Sequence, residues 1–339
     1  MRCTVLSHLS LMLLFGGLAS AQTASTTNLV VPAKFYNGYL VVVRGTIGTL
    51  EKRNLVIDTG AYPSIVDEDL ARKLHLTGKK EELRVVDRNL KSRATVLPSL
   101  EVGPIRATNL KVIVQDLTPV SEAFRVRIDA LVGLDVLAST SFRIDYEAKQ
   151  VVFGPLDPLP FTAPLRWTDA MFCIDLRVND RPAHLLVDTG AASLVLFADR
   201  LPWAIDLSDD SVGYTNIGGQ FRLRRMAAKS LALGGADLGR TQVFVSDAHN
   251  MSPFHFDGLF ATGALPVRQV AFDLERHVFG WQPTITKADT KRARDTEART
   301  GLSLAAAASR SETSGTSPCA AGSASMCAMP YSMKAPSPR

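Results

Sequence analysis

The chain has 339 residues, of which 46% are hydrophobic, so it is long for one domain and sufficient for two globular lobes. Its formal net charge is +5, but residues 287–339 hold eight basic and four acidic side chains, so the remainder is close to neutral. The positive net charge is therefore no argument for a nucleic-acid-binding surface on the folded body, and we expect no nucleic-acid partner.

Residues 1–21 have the pattern of a secretory signal peptide. Arg2 supplies a positive flank, residues 9–18 are mainly apolar, and the small residues 19–21 suit cleavage after Ala21. The apolar stretch is shorter than the roughly 20 residues that a membrane-spanning helix needs. We therefore predict a secreted or periplasmic protein without a membrane span.

Residues 35–154 are predicted to form a mainly β lobe. An apolar, β-branched run at residues 40–43 precedes glycines at turn-like places, and a second run at residues 55–57 leads into Asp58. The acidic triplet at residues 67–69 is typical of a helix start. Four apolar residues at roughly helical spacing accompany this triplet: Ile65, Val66, Leu70 and Leu74.

The end of this lobe is also predicted to be β. Residues 129–135 form an apolar run that ends in a turn, where Asp135 is predicted to be the N-cap of a short helix. A hairpin with strands at residues 144–146 and 151–153 then closes the unit.

The second half of the chain repeats the first. Residues 155–168 are proline-rich and predict a linker, after which residues 169–283 contain the same blocks in the same order. The acidic loop recurs at an offset of 130, from Asp58 to Asp188, and later blocks match at offsets of 131 and 128. These offsets indicate an internal duplication of a unit of about 120 residues.

Both halves contain an apolar run that ends in the same four residues, namely Asp58, Thr59, Gly60 and Ala61 in one and Asp188, Thr189, Gly190 and Ala191 in the other. If the halves pack around an approximate two-fold axis, these loops meet there. Two carboxylates a few ångströms apart share one proton, so one can activate a water while the other donates to a carbonyl. The threonine hydroxyls can hydrogen-bond across the axis, and the glycines allow close backbone approach.

On these residues the chain resembles the aspartic peptidases, and more closely their retropepsin-like branch. The resemblance covers about residues 35–281 and also rests on three downstream segments, residues 130–135, 144–147 and 272–275. It implies an all-β fold of two homologous closed β-barrel lobes with a peptide cleft between them. It also implies catalytic roles for Asp58 and Asp188 and a peptide or protein substrate.

Three features depart from the family pattern. Gly133 is matched by Ala261, at a position where a glycine would normally back the catalytic loop. Tyr62 and a proline follow the first motif where small residues are usual, and Tyr62 could enter the cleft. Ala61 and Ala191 replace the serine or threonine of pepsin-like enzymes, which removes a hydrogen bond to each carboxylate and predicts a milder pH optimum than that of a stomach protease.

A substrate-covering hairpin, or flap, is predicted in the second lobe. Residues 214–221 combine a turn with the adjacent glycines Gly218 and Gly219 and with flanking aromatic residues, although an ordinary surface hairpin has the same pattern. The equivalent hairpin of the first lobe, near residues 87–92, lacks glycine. A single mobile flap would make the cleft asymmetric.

The cysteines and histidines show no metal-binding spacing, and we expect neither a metal nor a cofactor. Cys173 lies in a strand-like apolar run and predicts a buried thiol, whereas His249 and His255 share a loop that we interpret as solvated. Residues 284–339 are rich in small, polar and basic residues and predict a disordered tail.

Three hypotheses for the function remain open. The first is an aspartic endopeptidase, a monomer whose two lobes supply one intramolecular pair of aspartates. The second is an extracytoplasmic peptide-binding module that keeps the fold without turnover. In the third, each lobe pairs with its twin in another chain.

Overall fold

The computed structural model describes residues 29–201, 210–239 and 241–284. The predicted signal peptide lies outside the described residues, as does the predicted tail after residue 284. Within these ranges strands predominate and the few helices are short, as predicted for an all-β fold. No helix in the described ranges is long and apolar enough to cross a membrane.

Lobe 1 contains ten strands and three short helices. The strands are β1 (Leu29–Tyr36), β2 (Leu40–Ile47), β3 (Leu50–Ile57), β4 (Ile65–Asp67), β5 (Lys79–Arg84), β6 (Asn89–Val102), β7 (Ile105–Gln115), β8 (Ala130–Val132), β9 (Phe142–Asp145) and β10 (Gln150–Phe153). The helices are α1 (Glu68–Lys73), α2 (Thr118–Phe124) and α3 (Leu134–Leu137).

Lobe 2 repeats this order, with thirteen strands in the described residues. They are β11 (Phe161–Pro164), β12 (Arg166–Thr168), β13 (Met171–Val178), β14 (Arg181–Asp188), β15 (Val195–Phe197), β16 (Ser211–Asn216), β17 (Gly219–Ala228), β18 (Leu231–Leu233), β19 (Ala236–Asp237), β20 (Thr241–Ser246), β21 (Gly258–Ala261), β22 (Val267–Asp273) and β23 (Val278–Pro283). Its described helical turns are two 3₁₀ segments, His249–Met251 and Thr262–Ala264.

Six strands of lobe 1 form a closed ring in the order β2-β3-β8-β4-β7-β6, which the pairing of β2 with β6 completes. Lobe 2 has the corresponding order β13-β14-β21-β15-β20-β17. There β18 continues the path of β17 and pairs back with β13. Each ring encloses apolar side chains, because strands such as β3 and β14 end in continuous apolar runs that are buried on both faces.

A six-stranded sheet joins the lobes in the order β11-β23-β22-β9-β10-β1. Its central strands, β9 and β22, are antiparallel, and Phe142 stacks on Phe272 with ring centroids 4.6 Å apart. Arg143 lies opposite Ala271, which is its own counterpart at the offset of 128. A residue that faces its own repeat lies beside an approximate two-fold axis, so the duplicated lobes are arranged symmetrically about this sheet.

The acidic triplet does begin a helix, since the Asp67 side chain accepts hydrogen bonds from the amides of Asp69 and Leu70 at the start of α1. Ile65 and Val66, however, form β4 and not the helix. Strand β4 pairs with β7 and β8 inside the ring, and this tertiary pairing overrides the local helical spacing.

The proline-rich segment at residues 155–168 contains two strands that the sequence did not predict. β11 pairs with β23, and β12 pairs with β13. They correspond to the two halves of β1, which pair with β10 and then with β2. Prolines obscure this equivalence because they are tolerated at sheet edges but weaken a strand pattern.

Candidate active site

The two acidic loops are mounted in the same way. Asp58 follows β3, whose end pairs in parallel with β8, and Asp188 ends β14, which pairs in parallel with β21. In both loops the aspartate and the glycine are half-buried, whereas the threonine between them is fully buried. Each aspartate therefore projects from a rigid, dry strand end toward a partly open space.

The buried threonines join the two loops reciprocally. The amide of Thr59 donates to Thr189 Oγ1 at 3.0 Å, and the amide of Thr189 donates to Thr59 Oγ1 at 3.1 Å. Each hydroxyl then donates at 2.7 Å to a carbonyl of the opposite strand, Thr59 to Val187 and Thr189 to Ile57. All of these groups are removed from water, so the two loops of one chain hold each other in place.

The glycines bring each loop against the carboxyl group of the other. A Cβ atom added to Gly60 would lie 2.5 Å from Asp188 Cγ, and one added to Gly190 would lie 2.8 Å from Asp58 Oδ1. No side chain fits either position, which explains why the motif requires glycine. Each glycine amide also donates to the aspartate of its own loop, at 2.9 Å for Asp58 and 2.8 Å for Asp188.

The two carboxyl groups titrate as one pair. Burial, together with the negative charge of Asp188, raises the pKa of Asp58 well above its ordinary value. Burial raises the pKa of Asp188 to about 6, against the opposing effect of amide hydrogen bonds and a hydrogen bond from Asp58. Near-neutral pH therefore favours a state in which the pair holds one proton, mainly on Asp58.

Lobe 1 braces its acidic loop from within. Ser64 Oγ donates to Asp135 at 2.6 Å and accepts from the amide of Gly133 at 2.9 Å, and the amide of Leu134 donates to the Ala61 carbonyl at 3.0 Å. The prediction that Asp135 is an N-cap is therefore wrong. Gly133 occupies that position, and the Asp135 carboxylate binds Ser64 because this cross-loop contact is available only in the folded lobe.

Lobe 2 lacks the polar side chains for this brace. The counterparts of Ser64 and Asp135 are Leu194 and Gly263. Two tyrosines of lobe 1 contact the same region instead. The Tyr146 hydroxyl lies 2.9 Å from Thr262 Oγ1, and a Cβ atom added to Gly263 would lie only 2.3 Å from the Cβ of Tyr39.

The position of Ala261 is compatible with the site. It is fully buried, and Asp188 pairs with it in the sheet as the lobe 1 pattern requires. In lobe 1 a glycine is needed, because a Cβ atom on Gly133 would lie 2.5 Å from the Ala61 carbonyl oxygen. Tyr62 is 52% exposed beside the first acidic loop, so its side chain is accessible from solvent.

Hairpins from both lobes meet at their tips. The predicted flap of lobe 2 is the β16–β17 hairpin, whose turn contains Gly218 and Gly219, the latter with φ +100°. Asn216 of this hairpin donates to Asp87 of the lobe 1 hairpin at 2.8 Å, and Arg88 donates to the Gln220 carbonyl at 2.9 Å. The lobe 1 hairpin thus contacts its partner although its turn has no glycine.

A loop of lobe 2 also holds the lobe 1 hairpin. The Asn250 amide group donates to the carbonyls of Val85 and Arg88, and Arg84 donates back to the Asn250 carbonyl at 2.8 Å. We name these contacts, together with those of Asn216 and Gln220, the hairpin clasp. Sequence reasoning missed it, because neither asparagine differs in its local pattern from an ordinary turn residue.

Cys173, His249 and His255 were also singled out in the sequence. Cys173 is a buried free thiol, as predicted, and burial raises its pKa to about 12. His249 lies near Asp199, at 3.3 Å, and His255 lies near Asp169, at 3.0 Å, so both imidazoles are paired on the surface of lobe 2.

Comparison with known proteins gives one finding that bears on this site. The family model described as aspartyl protease matches the chain twice, over residues 43–136 and 174–261. Together the matches cover more than half of the chain, and each contains one of the two acidic loops. No curated protein gives a significant match.

Proposed function

Because the chain belongs to the aspartyl protease family, we propose that it is an aspartic endopeptidase in which Asp58 and Asp188 form one catalytic pair. The observation that carries this proposal is the reciprocal threonine network, with each glycine packed against the opposite carboxyl group. A decayed site need not retain the full Asp-Thr-Gly motif in both loops, as this chain does. We expect peptide or protein substrates because the family is one of proteases.

The shared proton supports a mechanism without a covalent intermediate. Asp188, as the ionised member, accepts a proton from a water between the carboxyl groups while the water oxygen attacks the peptide carbonyl carbon. Asp58, as the protonated member, donates its proton to the carbonyl oxygen. Collapse of the resulting diol returns a proton to Asp58, breaks the C–N bond and transfers the proton held by Asp188 to the leaving nitrogen.

The pKa directions predict the pH dependence. Below about 6, Asp188 gains a proton, the pair carries two and no base remains, so kcat/KM falls as the pH drops through this value. At higher pH Asp58, whose pKa is raised, also loses its proton, so the pair no longer contains a general acid. We therefore expect a bell-shaped profile with its optimum closer to neutrality than that of a stomach protease.

Cleavage of peptide libraries between about pH 3 and about pH 8 tests the proposal, with Asp58→Asn and Asp188→Asn as variants and the exposed Asp157→Asn as the matched control. Each active-site variant is expected to lose at least about 10³-fold in kcat, and the control is expected to retain it. If no peptide is cleaved by the wild type at any pH, the non-catalytic binding module is favoured.

The same variants test the arrangement of the pair. Activity that survives in both single variants would indicate that each lobe pairs with its twin in another chain. Loss in each single variant, with a monomeric mass in solution, supports one intramolecular pair. The meeting of both loops within one chain favours this second outcome.

Secretion to the periplasm or medium is a separate proposal that rests on residues 1–21. N-terminal sequencing of the mature protein from the native host is expected to begin at Gln22. A mature protein that retains Met1 would contradict it.

A further inference from the structure

The two halves of the pair are supported in different ways, and the difference is systematic. In lobe 1, Ser64 and Asp135 link the acidic loop to the start of α3. At the corresponding places lobe 2 has Leu194 and Gly263, neither of which has a polar side chain to form such a link. The turn after β21, residues 262–264, therefore needs support from elsewhere.

Tyr39 fills the space above this turn. It follows the β1–β2 turn, is 9% exposed, and packs edge-to-face on Phe124 with ring centroids 5.8 Å apart. Its Cβ and Cγ atoms would lie 2.3 and 2.9 Å from a Cβ atom on Gly263, so only a glycine permits this approach. Ala192 and Ile217 of lobe 2 pack against the apolar cluster that contains Tyr39 and Phe124.

Tyr146, which also belongs to lobe 1, contacts the same turn of lobe 2 through its hydroxyl group. The phenol oxygen lies 2.9 Å from Oγ1 of Thr262, the residue directly after Ala261, and the amide of Tyr146 donates to the Arg268 carbonyl at 2.8 Å. Thr262 is fully buried, so the hydroxyl pair is shielded from water.

The support is not reciprocal. Strand pairing aligns Tyr39 with Ala170, and the offset of 128 aligns Tyr146 with Leu274. Neither counterpart has an aromatic ring or a hydroxyl group to offer lobe 1. Burial raises the pKa of Tyr39, and the negative charge of Asp188 raises it further.

We propose that Tyr39 and Tyr146 of lobe 1 are positioning residues that hold the Asp188 half of the catalytic pair in register with Asp58. This inference rests on the proposed function, since it assigns the two tyrosines a role in that reaction. They act through Gly263 and Thr262, and neither is required to contact the substrate.

A double-mutant cycle tests the hydroxyl contact. Tyr146→Phe and Thr262→Val each remove one partner while nearly preserving its shape, and Tyr36→Phe is the matched control for loss of a tyrosine hydroxyl. We expect each single variant to lower kcat about 3- to 10-fold with KM within about twofold, and the double variant to equal either single variant. Additive losses, or an unchanged kcat in both single variants, would overturn the proposal.

Tyr39→Phe and Tyr39→Ala separate the ring from its hydroxyl. The ring fills the space over Gly263, so the phenylalanine variant is expected to retain most activity and the alanine variant to lose about 10-fold or more in kcat. If the alanine variant does not fold, the Tyr146–Thr262 cycle still decides the question. Equal kcat in a folded alanine variant and the wild type would overturn the role of Tyr39.

A titration without substrate separates failure of this inference from failure of the proposed function. Carboxyl carbons of ¹³C-labelled aspartate report the two proton-loss steps of the pair by NMR, even in a protein that cleaves nothing. A displaced Asp188 interacts less with Asp58, so the gap between the two steps narrows in Tyr146→Phe. Lower thermal stability with an unchanged titration would reduce the tyrosines to structural residues.

Discussion

Lobe 1 and lobe 2 present the same acidic loop but stabilise it differently. The lobe 1 loop is linked to its own helix through Ser64 and Asp135, whereas in lobe 2 the turn after β21 is contacted from lobe 1 by Tyr39 and Tyr146. Where the loops touch each other, by contrast, the hydrogen bonds are nearly identical in both directions. The duplicated halves are therefore symmetric where the acidic loops meet at the axis. They are asymmetric in the contacts of the turns that follow β8 and β21.

The difference shows what fusion of two lobes into one chain permits. In a single chain the partner lobe is always present at high effective concentration, so an interlobe contact can replace an internal one. A lobe that pairs only by association has no such permanent support. Lobe 2 has neither the serine nor the aspartate at these places, and its loop nevertheless forms the same contacts at the axis.

The largest stability effect is expected at the symmetric threonines. Thr59→Val and Thr189→Val each leave a buried carbonyl and a buried amide without partners, so we expect each to lower the free energy of unfolding by about 2–4 kcal/mol. Urea denaturation measures both, with the exposed Thr108→Val as control. A large difference in unfolding free energy between the two variants would contradict the inferred equivalence of the two threonines.

Asp188→Asn is expected to stabilise the protein in a pH-dependent way. The pKa of Asp188 is raised in the folded state to about 6, so the wild type is stabilised below the unfolded value and loses this contribution as the pH rises through about 6. Removal of the carboxyl group should increase the free energy of unfolding by about 1–3 kcal/mol at pH 7 and by little at pH 4.

Thermal denaturation at both pH values measures this effect. Asp157→Asn, which removes an exposed carboxyl group from the linker segment, is the control for the loss of one negative charge. A stabilisation of equal size at both pH values would indicate a cause other than titration of the pair.

Ser64→Ala probes the brace that only lobe 1 possesses. It removes the hydroxyl that joins Asp135 to the amide of Gly133, and we expect a loss of about 1–2 kcal/mol in the free energy of unfolding. Ser139→Ala, which removes an exposed hydroxyl just after α3 that donates to the Val136 carbonyl, serves as the control. An equal loss in both variants would mean that the Ser64 contact is not a special brace.

The smallest effect is expected at the hairpin clasp. Asn250→Ala frees the carbonyls of Val85 and Arg88 without touching the aspartates, so amide hydrogen exchange at residues 85–88 should accelerate by about 3- to 10-fold. The β1–β2 turn at residues 37–38 should exchange as before. Unchanged exchange at the hairpin tip would show that the two lobes do not hold it through Asn250.

Much of the architecture could be predicted because it is encoded by local repetition. The two motifs, the apolar runs before them and the β16–β17 hairpin are short patterns that recur in order, and duplication makes each copy evidence for the other. The predictions for Ile65, Val66 and Asp135 were wrong at places where a partner distant in sequence decides the conformation.

By itself the sequence determined that two homologous β lobes each carry an Asp-Thr-Gly-Ala loop behind a buried strand, because strand periodicity and motif order depend on neighbouring residues. Only the tertiary structure decided that Tyr39 and Tyr146 contact the turn after β21, that Ser64 binds Asp135, and that Asn250 holds a hairpin. These contacts join residues 71 to 224 positions apart. Side chains at such separations meet only when packing brings their strands together, so no local pattern records them.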